Sequence, residues 1–240
     1  NPYLISGTNV LRNLIGATTV TELEAAENDL VSARMLEFQS NPPVAQGTLR
    51  QLQQIHRQLF QDIYDWAGQI RTVDIAKGSS QVFQSLAFFD VGVQYAERML
   101  KEDHLLQGLD RETFVERISV HYDNFSILHP SERVMVAQKI VWNLVVRDAG
   151  WRLNWHMVSK QENDRASQIA KETADESSLV AMFTRIVLAF FGKKADGGKC
   201  AMGVVRIVLA DDAQVHSFAR WIVSANRGSM ELPSYDCLTC

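Results

Sequence analysis

The residues best suited to chemistry stand in one short run near the middle of the chain, LHPSERV. His129 is followed by Pro130 and, after one serine, by Glu132 and Arg133. A histidine can act as a general base because its ordinary pKa lies near neutral pH. Glu132 and Arg133 add one charge of each sign beside it. Whether this run performs catalysis depends on the residues that surround it.

The residues that follow Arg133 are mainly apolar. They recur at helical spacing with no polar interruption on that face, at Val134, Ala137, Val141, Leu144 and Val145. This pattern predicts a helix from Ser131 to Ala149 that packs in a core and stops at Gly150. A histidine at the start of such a helix is more often a structural residue than a base, and we expect His129 to be structural. The catalytic role remains the alternative.

Composition excludes several classes of function. The chain has 240 residues, with 24 basic and 28 acidic side chains and no block of like charge. Such a balance gives no electrostatic footprint for nucleic acid or for an anionic membrane. The longest apolar stretch, Leu179 to Phe191, contains Thr184 and Arg185 and is shorter than a membrane span requires, so it predicts a buried helix.

The cysteines and the N-terminal region suggest a reducing compartment. Cys200, Cys237 and Cys240 cannot all pair within one chain, and no signal peptide is visible. We therefore expect a cytoplasmic protein. The spacing of Cys237 and Cys240 is that of a zinc or redox site, but no second matching pair accompanies it. We expect neither a metal site nor a cofactor.

The elements that must position His129 are predicted to be helical. A helix over Thr19 to Phe38 carries Leu23, Ala26, Leu30, Ala33 and Leu36 on one face, and a second begins at Thr48 and ends near Gly68. Further helices are predicted over Asn9–Leu14, Ser85–Asp103, Asp110–Leu128, Ser159–Asp175 and Glu176–Phe191. The exception is Ile70 to Phe83, where alternation at Val73 and Ile75 and the turn residues from Gly78 to Ser80 predict a short hairpin.

The composition changes after Phe191. Glycines and lysines between 192 and 199 are typical of a linker, and an apolar run from Val204 to Leu209 and an amphipathic helix up to Ala225 are predicted beyond it. We therefore divide the chain into a domain of residues 1–191 and a C-terminal extension of residues 192–240.

The run from Leu52 to Gly78, LQQIHRQLFQDIYDWAGQIRTVDIAKG, resembles the segment that leads into the hairpin flap of the Fic family. His129-Pro130 and the segment AGWRLNW, residues 149–155, also fall where that family would place them. The resemblance extends over about residues 1–191. It implies a mainly α fold, a Fic-like helical bundle with a short β-hairpin flap, to which the C-terminal extension is added.

Fic proteins typically transfer AMP from ATP to a hydroxyl of a target protein, and their signature is HPFx(D/E)GNGRxxR. In that family the histidine is the base, the acid holds magnesium, the Gly-Asn-Gly turn binds phosphate and the first arginine neutralises phosphate charge. This chain keeps His129 and Pro130. It departs from the signature at the positions that follow, with Ser131 for the phenylalanine, Arg133 for the acid, Val134-Met135-Val136 for Gly-Asn-Gly, Ala137 for the first arginine and Ile140 for the second.

These departures lead us to expect that the chain is not an enzyme. Valine disfavours the backbone conformations of an anion nest, and Arg133 reverses the charge where a metal would be held; Glu132, one position away, could replace the acid only if its side chain pointed the same way. The main hypothesis is therefore a protein-binding member of the family. The alternative is a divergent AMP- or phosphate-group transferase that acts on a protein hydroxyl with His129 as base.

The resemblance also implies how a partner would bind. In the family the flap docks an extended segment of the target by strand addition. The corresponding residues here are Arg71, Thr72, Val73, Asp74, Ile75 and Lys77. A hairpin that only covers the cleft is the alternative. By analogy with plasmid-borne relatives, the expected partner is a protein of bacterial conjugation or secretion machinery, and the expected activity is fertility inhibition.

Overall fold

A computed structural model describes residues 2–77 and 81–190 of the chain. Within these residues the fold consists of seven α-helices and two pairs of short antiparallel strands. The helices are α1 (Val20–Ser40), α2 (Leu49–Phe60), α3 (Phe89–Glu102), α4 (Arg111–Leu128), α5 (Val134–Asp148), α6 (Lys160–Thr173) and α7 (Ser177–Ile186). The strands are β1 (Ala76–Lys77), β2 (Gln81–Val82), β3 (Trp151–Leu153) and β4 (Val187–Ala189). The predicted class, mainly α with a hairpin flap, is confirmed.

Side-chain caps define where several helices begin. Thr19 and Glu22 form a capping box at the start of α1, in which each side chain binds the other residue's backbone N–H. Asp110 accepts the N–H of Thr113 at the start of α4, and Ser159 accepts that of Glu162 at the start of α6. These local interactions explain why the predicted starts of the three helices agree closely with the structure.

One hydrophobic core joins the helices. The face predicted for the second helix is buried at Leu49, Leu52, Ile55, Leu59, Ile63 and Trp66. The face predicted after Arg133 is buried as well, at Val134, Ala137, Val141, Leu144 and Val145. An aromatic group lies between α4, α5 and α7, where the ring of Tyr122 packs edge-on against Phe183 and Trp142 packs edge-on against Phe125. His129 is therefore positioned by a rigid packed body.

Three predicted helices differ most from the structure. Residues 9–14 are not helical, and a bridge between Leu4 and Leu11 forms there instead. The second helix ends at Phe60 rather than near Gly68, although Gly68 has the positive φ of 78° that glycine adopts readily. The last helix ends at Ile186, and β4 follows.

The change from helix to strand after Ile186 has a tertiary cause. Residues 187–189 pair with β3, so that Leu153 lies opposite Val187 and Trp151 opposite Ala189. This pairing satisfies backbone groups of a segment that is apolar enough for either structure, and periodicity alone could not distinguish the two. No helix among the described residues is long and apolar enough to cross a membrane. The predicted linker and C-terminal extension, with the three cysteines, lie outside the described residues.

The aromatic core yields a test of stability. Replacing the fully buried Phe183 with alanine should lower the free energy of unfolding by about 4 kcal/mol, because it removes ring contacts and leaves a cavity. Phe88 is 63% exposed, and its replacement by alanine should cost less than about 0.5 kcal/mol. Urea denaturation of both variants measures the difference. Equal losses would contradict the described packing.

Candidate functional site

His129 lies at the junction of α4 and α5. It ends α4 in the left-handed conformation, with φ 41° and ψ 64°, and its half-buried ring stacks on Phe83 with 4.0 Å between ring centroids. A left-handed residue turns the chain sharply, so the helix cannot continue and the imidazole is held at the surface of the body. The same turn brings His129 beside the residues that follow the hairpin.

Arg71 connects this turn to the hairpin. The residue is 3% exposed, and its Nε–H donates to the carbonyl oxygen of His129 at 3.0 Å. Its backbone N–H donates to Pro130, and its other guanidinium groups donate to the carbonyl oxygens of Val73 and Gln84. A single buried cation thus holds both ends of the hairpin against the His129 turn.

A buried histidine supports the same turn from the other side. The Nδ1 of His56 accepts the N–H of Gly68 at 2.9 Å, so the proton is on Nε2, which donates to the carbonyl oxygen of Glu132 at 2.8 Å. Because desolvation disfavours the charged imidazolium, the pKa of His56 falls to about 4. His56 is therefore neutral at physiological pH and acts as a fixed bridge.

Arg133 has a role that the sequence did not indicate. It begins α5 with a positive φ of 58°, and its Nε–H donates to Glu27 of α1 at 2.9 Å. Glu27 is 2% exposed and also accepts the hydroxyl proton of Tyr64. Burial, followed by the charge of Glu27, raises the pKa of Tyr64 and keeps the phenol neutral. Arg133 therefore stabilises a buried carboxylate.

Glu27 could not be found from the predicted face of α1. That face was drawn through Ala33 and Leu36, which are exposed, whereas the buried face contains Leu23, Val31 and Met35 together with Glu27. A carboxylate in the middle of an apolar helical face is the signal that could have revealed it, because such a group requires a buried partner.

A small pocket opens beside His129. Its other lining residues include Phe83, Met135, Asp164 and Lys171, and the Nζ of Lys171 lies 4.9 Å from the centroid of the Phe83 ring. The cavity volume is about 40 Å³. This admits a group of the size of a phosphoryl, whereas sites for drug-sized ligands start at roughly 300 Å³. A whole nucleotide would require side chains around the pocket to move.

The pocket also faces the start of α5. No side chain caps this helix, and Met135 in its first turn lines the pocket. The first N–H groups of a helix have no acceptor within the helix, and together with the helix dipole they favour an anion. His129, Lys171 and Met135 at the start of α5 therefore line one space, and the carboxylate-bearing Asp164 lines it as well.

The residues predicted to bind a partner lie at the base of the hairpin. Arg71 is buried as described, and the N–H of Thr72 donates to the hydroxyl of Tyr3 at 2.9 Å. The carboxylate of Asp74 accepts the N–H of Leu86 and the hydroxyl of Ser85, and the Leu86 bond is the main reason that the pKa of Asp74 is lowered. These three residues hold the hairpin in place. Lys77 belongs to β1.

Glu132 does not line the pocket. It is half-buried, and desolvation raises the pKa of its carboxyl. Arg133 occupies the position of the signature acid and points to Glu27. The described residues therefore do not offer a magnesium ion the ligand that the family signature would supply at this position.

Comparison with known proteins identifies the family. The Fic/DOC family model matches residues 46–130. The chain is 32% identical over 188 residues to the probable protein adenylyltransferase Fic of Escherichia coli K12. The aligned residues are 78% of this chain and 92% of that relative. A Salmonella typhimurium protein of the same name is 34% identical over 188 residues, which are 78% of this chain and 92% of that relative. The chain belongs to the Fic/DOC family.

Solved structures agree on the fold. The BepC protein of Bartonella tribocorum, a VirB-translocated effector solved with bound AMPPNP, has a TM-score of 0.71 at 21% identity and covers 78% of this chain and 97% of its own. A Fic domain from Bartonella quintana with bound ADP has a TM-score of 0.72 at 19% identity, over 79% of this chain and 96% of its own. At these identities the likeness establishes the fold.

The expectation that the chain is not an enzyme is wrong. The relatives that match nearly their whole length to this chain are named protein adenylyltransferases. The departures of residues 131–137 from the signature were the basis of that expectation, but such departures remove particular contacts and do not by themselves exclude a reaction at His129.

His56 yields a test by pH. Between pH 6.5, its ordinary pKa, and pH 4 the unfolded chain binds a proton that the folded protein does not. The free energy of unfolding should therefore fall by about 3 kcal/mol as the pH decreases across this range.

Burial raises the pKa of Asp123 to about 6, so this carboxyl titrates in the same pH range. A His56→Gln variant isolates the contribution of His56, because Asp123 is unchanged in it. Urea denaturation at several pH values should show a shallower dependence for the variant than for the parent. Identical dependences in the two proteins would contradict a buried neutral His56.

Proposed function

We propose that this protein transfers AMP, or another phosphate-bearing group, from a nucleotide to a hydroxyl of a target protein, with His129 as the general base. The observation that supports this proposal is the shared pocket of His129, Lys171 and the uncapped start of α5. A base and a cation line one phosphate-sized space, and Met135 in the first turn of α5 lines the same space. The names of the bacterial relatives support the same class of reaction.

The reaction is a displacement at phosphorus. His129 takes the proton of the target hydroxyl as the hydroxyl oxygen forms a bond to the α-phosphorus, and the bond to the leaving pyrophosphate breaks with its electron pair. The N–H groups of α5 and the ammonium group of Lys171 stabilise the negative charge on the transferred phosphate. No step is assigned to a magnesium ion, because Arg133 stands where the signature acid would hold it.

The target would dock along the hairpin. Phe83 N–H donates to the carbonyl oxygen of Ile75, and Ala76 pairs with Val82. Since inward and outward N–H groups alternate along a strand of an antiparallel pair, the N–H of Ala76 points away from β2. An extended target segment could bind there by strand addition, close to His129.

The target that the family analogy suggests is a protein of bacterial conjugation or secretion machinery, whose modification would inhibit plasmid transfer. The structural relatives include VirB-translocated effector proteins of Bartonella. They are proteins handled by a secretion system, which supports a protein partner in general. The particular machinery stays part of the proposal, as does the role of residues 192–240.

The role of His129 can be measured with labelled ATP. A His129→Ala variant should lose at least about 100-fold in transfer of label from the α-phosphate to protein, because the proton of the attacking hydroxyl would have no acceptor. The exposed His156 provides a matched control, since His156→Ala should keep full activity. Label transferred from the γ-phosphate instead would identify phosphoryl transfer.

Both variants should keep the melting temperature of the parent within a few degrees. Transfer that persists in a folded His129→Ala variant would contradict the proposed base.

Docking at the hairpin can be separated from chemistry. An Ala76→Pro variant lacks the outward N–H, so its transfer to added target polypeptide should fall at least about tenfold, whereas Ala76→Val should retain the donor and the activity. Hydrolysis of ATP without a target should be the same in both variants. Equal transfer by both would place docking elsewhere on the protein.

A further inference from the structure

The resemblance to the family is interrupted abruptly after Pro130. The family model matches up to that residue. The alignment with the Escherichia coli relative covers 188 residues, which is more than the chain has up to Pro130. This alignment must therefore continue past Pro130. The likeness is again recognisable at residues 149–155. Between these parts, residues 131–137 differ from the signature at each of its specified positions, whereas His129 and Pro130 directly before them agree.

A left-handed turn lies at the start of the segment that departs from the signature. Arg133 adopts a φ of 58° without a side-chain cap, and His129 has a φ of 41°. The left-handed Arg133 directly precedes the three positions at which the signature has Gly-Asn-Gly.

We propose that residues 131–138 are translated from a shifted reading frame of a segment that encodes the phosphate-binding part of the signature. Loss of one base just before the codon of Ser131 would cause the shift. A second insertion or deletion between Gln138 and Ala149 would restore the frame, because the likeness is recognisable again at residues 149–155. Substitutions accumulated one at a time would not produce such a sharp limit directly after Pro130.

The genetic code allows this proposal to be checked against the residues themselves. Each codon of the original frame joins the last base of one present codon to the first two bases of the next. Met135 has a single codon, ATG, and valine codons begin with GT. The original codon at position 136 is therefore GGT, which is glycine, with no freedom of choice. The signature has glycine at this position.

The other specified positions agree when particular synonymous codons are used. GAG for Glu132 followed by AGG for Arg133 yields GAG, glutamate, at position 133, and then GGT, glycine, at position 134. GTA for Val134 yields AAT, asparagine, at position 135. GTC for Val136 yields CGC, arginine, at position 137. A TC-type codon for Ser131, preceded by the lost T, yields phenylalanine at position 131.

The original segment would complete the pocket beside His129. Two glycines would let the backbone of the first turn of α5 approach a ligand, and an arginine at position 137 would add a cation. An acid at position 133 would be a ligand for a divalent cation. The chemical class of ligand is a nucleoside triphosphate with its metal. The reading-frame part of this inference is independent of the proposed function, whereas the ligand part rests on it.

The decisive experiment is to sequence the gene in its source organism. The codons of residues 132–136 should read GAG, AGG, GTA, ATG and GTC. A different last base in the codon of Val134 removes the asparagine, and one in the codon of Val136 removes the arginine. An Arg133 codon other than AGG removes the glutamate at position 133 or the glycine at position 134. Any of these results overturns the proposal. This result does not depend on any activity of the protein.

A restored variant of the full chain tests the ligand. It carries Ser131→Phe, Glu132→Arg, Arg133→Glu, Val134→Gly, Met135→Asn, Val136→Gly, Ala137→Arg and Gln138→Thr. A matched control carries the same substitutions except the two that introduce glycine. Calorimetry with AMPPNP and magnesium should show binding at least about tenfold tighter for the restored variant. If the codons agree but the two variants bind equally, the ligand part is overturned, and the reading-frame part stands.

Discussion

The burial of the Arg71 guanidinium is the constraint on which the candidate site depends. A buried cation is tolerated when its N–H donors are satisfied, and Arg71 donates to carbonyl oxygens of His129, Val73 and Gln84. These acceptors belong to the turn before α5 and to both ends of the hairpin. The position of the hairpin over His129 is therefore determined by the geometry of one planar side chain, which lysine could not reproduce.

Two further buried polar groups, His56 and the Arg133–Glu27 pair, hold the turn between α4 and α5 in place. His56 binds the carbonyl oxygen of Glu132, and Arg133 binds the buried Glu27. Each of these interactions joins residues far apart in the sequence and replaces the support that a regular helix would provide. Such buried polar contacts specify one conformation strongly, since a partner left unsatisfied costs more than the contact contributes. The turn is consequently rigid even though its residues depart from the family signature.

Because the turn is rigid, the fold can persist when the residues that carry the chemistry of the signature are replaced. Val134, Val136 and Ala137 are buried in the core, so the start of α5 stays in place without the glycines and the arginine of the signature. Met135 in the first turn of α5 still lines the pocket that contains His129 and Lys171. The family fold depends on hydrophobic packing over many positions, whereas phosphate recognition depends on a few residues. A change confined to residues 131–138 therefore affects phosphate recognition far more than it affects the fold.

The sequence by itself determined the helical class, the family, the buried faces of α2 and α5 and the place of His129 in the chain. These features depend on local spacing, capping and continuous likeness, which can be read from neighbouring residues. Only the tertiary structure decided that α7 ends at Ile186, that Arg71 and Asp74 anchor the hairpin, and that Glu27 is the partner of Arg133. Each of these rests on contacts between distant segments, such as β3 with β4 or α1 with α5. Their energies depend on burial and on partners that no local pattern contains.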